Sequence, residues 1–365
     1  MQTACKMKEA DDLMNRAVSG NIFPGGALLA SMGGDIRFFK AFGVVDIFSR
    51  KQTDIATFFD LASLTKPLVT TAGIMELVKT YGFDIDQNVH CLLPGFKKNG
   101  VTARRLLTHT SGLPPWRPYY IELSKMDWAK RKDALTQRLF DEPLVQKPGE
   151  VVLYSDLGFM ILSRIIEAVS GMSLDRFFYE TVCSPLGLES LFFVPEFFPD
   201  GHLEPDHRDF AATEICPWRK AMLKGAVHDD NAYAAGGVEG HAGLFGDAGG
   251  IHALLWEMLS VFSGRKKSVV FQRDIVKAFF KTATDPARAT GFDMPARTGA
   301  SCGNYFSKNS VGHLGFTGVS FWMDPESEAI VILLTNRVHP SRDNERIRKF
   351  RPEIHDAVMK NMKKD

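Results

Sequence analysis

Strand-like segments lie near both ends of the chain, and the segments between them are mostly helical. Near the N-terminus, the stretches from Ala27 to Ser31 and from Ile36 to Phe39 flank a turn-rich linker, as strands of a hairpin do. Near the C-terminus, the stretches from Thr317 to Met323 and from Ala329 to Thr335 flank the turn sequence Asp-Pro-Glu-Ser. This distribution predicts an α+β fold, with one antiparallel sheet formed from both chain termini, flanked by helices, and a mostly helical subdomain inserted.

The length of 365 residues allows one large domain with an inserted region. We predict a single domain over 1–365, with a sheet-containing part at about 1–66 and 292–365 and a mostly helical part at about 67–291. Apolar stripes with helical spacing predict helices over Ala10 to Val18, from Ser63 to Gly82, over Asp156 to Ser170 and over about Arg351 to Lys360. The seven glycines between Gly236 and Gly250 predict a loop.

Composition excludes several classes of protein. The formal net charge is +1 and no dense Lys/Arg block occurs outside a short triplet and the tail, so we expect neither nucleic acid nor an anionic membrane surface as a partner. No apolar run approaches the ~18 residues of a membrane span, and the charged N-terminus lacks the apolar region of a secretion signal. The five scattered cysteines predict reduced thiols, and together these features predict a cytoplasmic protein.

A possible nucleophile occurs in the sequence Ser63-Leu64-Thr65-Lys66. Residues three apart share a helix face, so Lys66 can accept the proton of Ser63, which is a poor nucleophile without a base. Alone, the pattern is far more often an ordinary helix start with a solvated lysine. A second copy, Ser263 to Lys266, lies in a basic stretch broken by glycine, whereas only Ser63 precedes a long apolar helix.

Two more motifs follow in chain order. Tyr154-Ser155-Asp156 precedes a predicted helix, and His313-Leu314-Gly315 precedes the C-terminal hairpin. Ser-x-x-Lys, then a tyrosine motif, then a basic residue followed by glycine is the order of motifs in the penicillin-recognising serine hydrolases, the β-lactamases and penicillin-binding proteins. The chain resembles their class C branch over roughly residues 23–348, including the segment Leu106 to Leu113, which reads LLTHTSGL. A narrower resemblance is to muropeptide amidases and esterase-like enzymes.

The resemblance implies a role for each matching residue. Ser63 is the nucleophile, Lys66 is its proton acceptor, kept neutral by burial, and Tyr154 shares or relays the proton. The backbone N–H groups of Ser63 and Phe316 form the oxyanion hole. The roles implied for the remaining residues are a place for His313 in the catalytic group and substrate contacts for Asp156, Gly315, His241 and Arg337, with Glu239 as a further candidate contact.

Two positions depart from the family pattern. Asp156 stands where the family has asparagine, and an ionised Asp accepts hydrogen bonds but donates none. We expect it to accept from a substrate N–H or to hold the Lys66 ammonium, with Tyr154 taking more of the base role; it is equally suited to cap a helix. His313 stands where the family has lysine, and at its reference pKa of ~6.5 it predicts weak penicillin recognition that falls from pH 6 to 8.

Other arrangements compete with this reading. His109 and Ser111 suggest a Ser–His pair, but no Gly-x-Ser-x-Gly motif accompanies them, which favours a structural loop. Arg337 is equally suited to pairing with a buried carboxylate. A metal site also competes, although its spacing matches no established pattern; its candidate ligands are His202, Asp206, His207, Asp209, His228 and Asp229.

The sequence therefore predicts a serine hydrolase that attacks an amide or ester through an acyl-serine intermediate, without metal or organic cofactor. A cell-wall-derived peptide or muropeptide is the favoured substrate on family analogy. The alternatives are a carboxylesterase for short acyl esters and, in another class, a non-catalytic penicillin-binding or sensor domain.

Overall fold

The computed structural model describes residues 7–195, 208–283 and 287–363. The N-terminal part comprises helix α1 (Lys8–Ser19) and strands β1 (Gly25–Met32), β2 (Asp35–Gly43) and β3 (Phe59–Asp60). A continuous helical segment follows, formed by a 3₁₀ turn (Ala62–Leu64), a π-helical turn (Lys66–Thr71) and helix α2 (Ala72–Tyr81). Gly82, with φ of 63°, ends this segment in the left-handed conformation that glycine adopts without strain.

The middle of the chain is mostly helical. Its helices are α3 (Ala103–Leu107), α4 (Tyr120–Leu123), α5 (Trp128–Asp141), α6 (Asp156–Ser170), α7 (Leu174–Phe178), α8 (Ser184–Leu186), α9 (Asp230–Ala234), α10 (Ala248–Ser263) and α11 (Arg273–Phe280). Short strands lie among them: β4 (Leu191–Phe193), β5 (Ile215–Cys216), β6 (Ala221–Met222) and β7 (Leu244–Gly246). The predicted loop from Gly236 to Gly250 is therefore wrong at its end, where β7 and the start of α10 lie.

The C-terminal part returns to strands. They are β8 (Arg288–Ala289), β9 (Phe292–Asp293), β10 (Val311–Leu314), β11 (Ser320–Asp324) and β12 (Ala329–Thr335), followed by helix α12 (Ile347–Met362). The predicted strand from Thr317 begins three residues later because residues 315–318 form a turn closed by a hydrogen bond from the Gly318 N–H to the Gly315 carbonyl.

The main sheet joins the two ends of the chain in the order β2-β1-β12-β11-β10-β9-β8, with antiparallel pairing throughout. Side chains alternate between its two faces, as strand geometry requires. Leu28 and Leu333 face the core formed with α1 and α12, whereas Leu29 and Ile332 face the larger core that includes α10. The α+β fold predicted from the sequence is confirmed.

Helix α10 lies within the predicted helical part, at 248–263, yet it packs on the sheet. Its Ile251, Leu254 and Met258 belong to the same buried cluster as Leu29 of β1, and His252 Nε2 lies 2.8 Å from Ser31 Oγ. The predicted helical part therefore packs on the sheet through α10, well before residue 292. The division of the chain into a sheet-containing part and a mostly helical part at about 67–291 stays a prediction.

Candidate active site

Ser63 lies in the 3₁₀ turn that begins the helical segment after β3, at the floor of a cleft of about 360 Å³. The preceding residue, Ala62, has φ of 46°, a left-handed conformation that costs a non-glycine residue about 1–3 kcal/mol. The Asp60 carboxylate supports this turn by accepting a hydrogen bond from the Ala62 N–H at 2.8 Å. The strained backbone therefore lies next to the predicted nucleophile and aims it into the cleft.

Lys66 contacts Ser63 one helical turn along the chain. Its Nζ donates to Ser63 Oγ at 3.0 Å and to the carbonyl of His241 at 3.2 Å, and it lies 2.7 Å from Asp156 Oδ1. Burial disfavours the ammonium, but the carboxylate of Asp156, aided by Tyr154, more than offsets this and raises the pKa of Lys66. The expectation of a Lys66 kept neutral by burial is therefore wrong, because the resting site holds an ammonium.

Tyr154 lies above Lys66, with the ammonium 5.0 Å from its ring centroid and the phenol hydrogen-bonded to Lys66 and Ser63. Burial raises the pKa of Tyr154, and Asp156 adds to this while Lys66 opposes it. At neutral pH the phenol is thus protonated, so at rest it can donate a proton but cannot act as a base.

His109 packs against Tyr154 and holds the backbone on both sides of it. Its ring packs against the Tyr154 ring at 4.4 Å between centroids, its Nδ1 accepts from the Ser155 N–H at 3.0 Å, and its carbonyl accepts from the Leu153 N–H at 2.8 Å. Burial holds the pKa of His109 well below its usual value. Ser111 Oγ accepts from the Leu113 N–H instead, and the segment has the geometry of a structural loop beneath the site.

Asp156 begins helix α6 but does not cap it. The capping residue is Ser155, which has extended backbone geometry and accepts from the Gly158 N–H at 3.3 Å. The N-cap alternative for Asp156 is therefore wrong, and its carboxylate is placed against Lys66.

His313 lies on β10, with its Nδ1 2.8 Å from the carbonyl of Leu314 and its ring 6.1 Å from that of Tyr154. Burial lowers the pKa of His313 to about 4; Asp293 opposes this shift, while Lys66 and Arg288 add to it. The expected titration of this residue between pH 6 and 8 is thus wrong, because the imidazole is neutral throughout that range.

The turn after β10 is held tightly against the nucleophile. A Cβ on Gly315 would lie 2.3 Å from Val319 Cγ2 and 2.9 Å from the Leu61 carbonyl, so no side chain fits there. The Arg337 guanidinium donates to the Phe316 carbonyl from Nε at 2.8 Å, and Thr317 Oγ1 donates to the Asp60 carbonyl at 2.7 Å.

The backbone N–H groups of Ser63 and Phe316 are available to a ligand. Among the residues that the structure describes, neither donates to a protein acceptor. The Phe316 ring is half exposed and lines the cleft. These are the properties that an oxyanion hole requires.

The side chains of Arg337 and His241 both form hydrogen bonds to other groups of the protein. Besides Phe316, Arg337 donates to the carbonyls of Arg342 and Asn344 at 3.0 and 2.7 Å, so its partners are backbone groups rather than the buried carboxylate considered from the sequence. His241 is 1% exposed, and its Nε2 lies 2.9 Å from Asp229 Oδ1.

Glu239 is fully buried and pairs with Arg164 of α6 at 2.6 Å. This ion pair fixes the loop that carries the His241 carbonyl, which in turn holds Lys66. Glu239 and His241, which the family resemblance implied as substrate contacts, thus help to hold Lys66 in place.

The cleft also contains residues that the sequence did not indicate. Its lining comprises Ala62, Ser63, Pro115, Trp116, Tyr154, Asp156, His228, Asp229, Asp230, Ala242, Phe316 and Arg342. Trp116, Asp230 and Arg342 come from three separate segments, and no local pattern relates them; only the position of Trp116 just after the LLTHTSGL segment gave a signal.

The second Ser-x-x-Lys pattern has a different environment. Ser263 ends helix α10 and donates to the carbonyl of Ser260 at 3.1 Å, and Lys266 pairs with Glu257. Among the described residues no hydrogen bond joins Ser263 to Lys266, in contrast to the bond between Ser63 and Lys66.

No group of three or more His, Cys, Asp or Glu side chains suited to a metal ion occurs in the described part of the chain. Of the candidate metal ligands, His202, Asp206 and His207 lie outside the described residues. The others pair elsewhere, Asp209 with Lys51, His228 with Glu214, and Asp229 with His241.

Comparison with known proteins agrees with the fold and the motifs. The chain belongs to the Beta-lactamase family, whose sequence model matches residues 10–355. It is 31% identical to an N-acetylmuramyl-L-alanine amidase of Bacillus subtilis (strain 168), over 92% of this chain and 81% of the relative. It is 32% identical to a putative D-alanyl-D-alanine carboxypeptidase of Salmonella typhimurium, over 80% of this chain and 72% of the relative. The family resemblance seen in the sequence is confirmed, and the chain is a serine hydrolase.

Solved structures show the same fold. EstCE1, a hydrolase with promiscuous acyltransferase activity, superimposes with a TM-score of 0.76 at 20% identity, covering 98% of this chain and 99% of the other. An octameric penicillin-binding protein homologue from Pyrococcus abyssi gives a TM-score of 0.69 at 21% identity, covering 90% of this chain and 73% of the other.

Within the described residues, no single helix has the length and apolar character needed to cross a membrane. One pair of successive helical segments, Asp156–Ser170 and Leu174–Leu186, meets both criteria only when combined, and it is bent by 72°.

Proposed function

We propose that this protein is a serine amidase for a cell-wall-derived muropeptide, and that it cleaves the amide between an N-acetylmuramyl group and L-alanine. The observation that carries the proposal is the placement of Lys66 Nζ, 3.0 Å from Ser63 Oγ and 2.7 Å from Asp156 Oδ1, at the floor of the cleft. A hydroxyl, an amine and a carboxylate in contact form a short path for the proton that Ser63 must lose.

The charge states set the order of proton movement. Because Lys66 is an ammonium at rest, it passes one proton to Asp156 as it accepts the proton of Ser63. Ser63 Oγ then forms a bond to the carbonyl carbon, and the oxyanion is stabilised by the N–H groups of Ser63 and Phe316. Tyr154 donates its proton to the leaving nitrogen as the C–N bond breaks, and it regains a proton from Lys66, which recovers its own from Asp156.

Water completes the cycle by attacking the acyl ester on Ser63. The proton of that water returns to Ser63 Oγ through the same groups, so no charge accumulates. His313, neutral at neutral pH, adds no further positive charge beside Tyr154.

An amide is favoured over an ester by the protonation of Tyr154. An amine leaves only when its nitrogen is protonated, whereas an alkoxide of a short ester needs less help, so a protonated phenol hydrogen-bonded to Lys66 and Ser63 suits the amide. The similarity to the Bacillus subtilis amidase over 92% of this chain supports the same substrate class. A carboxypeptidase substrate is less suitable because Arg342, the cation of the cleft lining, is already paired with Glu214 and Asp230.

The test is intact-mass detection of an acyl adduct together with product release. Wild-type protein, Ser63→Ala and the control Ser263→Ala are incubated with N-acetylmuramyl-L-alanyl-D-isoglutamine, a penicillin and a p-nitrophenyl ester. We expect turnover of the muramyl peptide by wild type and Ser263→Ala, and none by Ser63→Ala.

The other outcomes separate the alternatives. Turnover of the ester alone would indicate a carboxylesterase, and one stoichiometric adduct without turnover would indicate a sensor domain. A Ser63→Ala variant with full activity would overturn the proposal.

A further inference from the structure

Trp116 is an exposed ring at the mouth of the cleft. It lines the same cavity as Ser63, and 42% of its surface is exposed. An exposed tryptophan beside a reaction centre offers a ligand a flat apolar face, and a single ring of this size buries much apolar area on binding.

The ring is the end of a row of aromatic side chains. The centroid of Trp116 lies 6.5 Å from that of Tyr120, which lies 5.1 Å from Trp218, which lies 5.8 Å from Tyr233. Trp218 is fixed in turn by a hydrogen bond of 2.8 Å from its Nε1 to Asp230 Oδ1. The inner rings thus support the exposed one.

The backbone that carries Trp116 is held at both ends. Before it, the carbonyls of Pro114 and Pro115 accept from Ser155 Oγ at 2.7 Å and from the Asp156 N–H at 2.9 Å. After it, buried Asn231 accepts from the Tyr120 N–H at 2.9 Å and donates to the Arg117 carbonyl at 2.8 Å. A surface fixed in this way binds without a large ordering cost.

Each carboxylate beside the ring already has a basic side chain as its partner. Asp156 pairs with Lys66, Asp229 pairs with His241, and Asp230 pairs with Arg219 and Arg342. A ligand carboxylate or ammonium therefore finds no unpaired counter-charge among these residues, whereas hydroxyl and amide N–H groups find carboxylate oxygens that accept from them.

We propose that Trp116, with the carboxylates of Asp229 and Asp230 and the guanidinium of Arg342, forms a subsite for the pyranose ring of a neutral N-acetylated amino sugar. The apolar face of the sugar stacks on Trp116, and its hydroxyl and acetamido groups bond to the polar side chains. This inference rests on the proposed function, and it places the sugar on the acyl side of the bond that is cleaved. The sugar thus remains bound until water hydrolyses the ester on Ser63.

The test compares two substrates with the same scissile bond and leaving group. One is N-acetylmuramyl-L-alanyl-D-isoglutamine, called here the muramyl peptide, and the other is D-lactyl-L-alanyl-D-isoglutamine, which lacks the sugar. We expect Trp116→Ala to lower kcat/KM for the muramyl peptide about 10-fold, which is the loss of one aromatic stacking contact. It should leave the lactyl peptide within about 2-fold, as a loss of stacking alone implies.

Two further variants make the comparison specific. Trp116→Phe should recover part of the muramyl activity because it retains a ring. Tyr179→Ala removes an exposed aromatic outside the cleft lining and should change neither substrate. Equal losses on both substrates, or no loss on the muramyl peptide, would overturn the subsite.

Binding of the two peptides to Ser63→Ala tests the sugar subsite separately from turnover. If wild type cleaves neither peptide, the proposed function fails, but calorimetry with Ser63→Ala still measures the sugar contribution. Tighter binding of the muramyl than of the lactyl peptide, lost in Ser63→Ala/Trp116→Ala, supports the subsite, and equal binding of the two peptides refutes it.

Discussion

The Asp156 carboxylate lies 2.7 Å from the Lys66 ammonium, where the sequence pattern of the family has a neutral amide. The pair explains why the pKa of Lys66 is raised although the side chain is fully buried, since a carboxylate in contact outweighs the cost of desolvation. It also changes the chemistry, because a proton must leave Lys66 before Lys66 can accept one from Ser63.

Replacing Asp156 by asparagine should make acylation depend on pH. Without the carboxylate, burial dominates and the pKa of Lys66 falls, so the neutral amine becomes populated as pH rises. We expect stopped-flow acylation by a p-nitrophenyl ester to gain a rising limb between pH 7 and 10, and a donating amide to increase turnover of a β-lactam. Asp209→Asn, which removes an exposed partner of Lys51, is the control. Rates that stay at wild-type values at every pH would refute the role of Asp156.

His313 should not cause a pH dependence near neutrality. Because its pKa is lowered to about 4, the imidazole is neutral from pH 6 to 8, and the charge does not change in that interval. His313→Gln, which keeps a neutral hydrogen-bonding side chain, should therefore give a penicillin acylation profile parallel to that of wild type between pH 6 and 8. A fall in the wild-type rate over that range that is absent from His313→Gln would contradict this assignment.

Local patterns predicted the long elements well. Helix α6 and strand β12 begin and end where the sequence placed them, because each carries an uninterrupted apolar pattern with the period of its structure. The strands β8 and β9 have two residues each, which is too short for any period to show. Helix α12 begins four residues before the predicted position, at Ile347, with Pro352 inside it.

The motifs predicted that the main side chains lie in one site, but they did not predict the charge states of those side chains. Ser63, Lys66, Tyr154 and Asp156 meet as expected from the family order. Lys66 is charged because it contacts Asp156, which lies 90 residues away in the sequence, and His313 is neutral because it is buried in the folded chain; no local pattern contains either fact. Trp116 and Arg342 were missed for the same reason.

Gly315 should tolerate no side chain. A Cβ there would lie 2.3 Å from Val319 Cγ2, so Gly315→Ala must displace the turn that carries Phe316, at a cost of about 1–3 kcal/mol in the free energy of unfolding. We expect urea unfolding to show this loss, together with slower acylation. Gly249→Ala, whose added methyl approaches no atom more closely than 3.4 Å, is the matched control.

A double variant separates the two contacts of that added methyl group. Val319→Ala removes Cγ2, so Gly315→Ala/Val319→Ala should recover part of the stability lost by Gly315→Ala, leaving the clash with the Leu61 carbonyl. Additive losses, with no recovery, would show that the crowding at Val319 does not limit this position.

Buried histidines should make the protein less stable in mild acid. Burial lowers the pKa of several histidines, namely His109, His252, His313, His339 and His355. The unfolded chain protonates them near pH 6.5, whereas the folded protein does not until lower pH, so the unfolded state binds more protons in that interval. Stability is therefore lost as pH falls below 6.5, by up to ~1.4 kcal/mol per pH unit for each such histidine.

His241 acts with the opposite sign, because its raised pKa adds stability below the unfolded pKa that is lost as pH rises through the folded value. The net expectation is a fall in the free energy of unfolding between pH 7.5 and 5.5, because five histidines lose stability over that interval and one opposes them, and urea titration at both pH values measures it. His355→Gln, which is remote from the cleft lining, should reduce that fall by about one histidine's share, whereas the exposed-site control Asp209→Asn should leave it unchanged. Equal stability at both pH values would show that these histidines take up protons in the folded protein as readily as in the unfolded chain, and would refute the prediction.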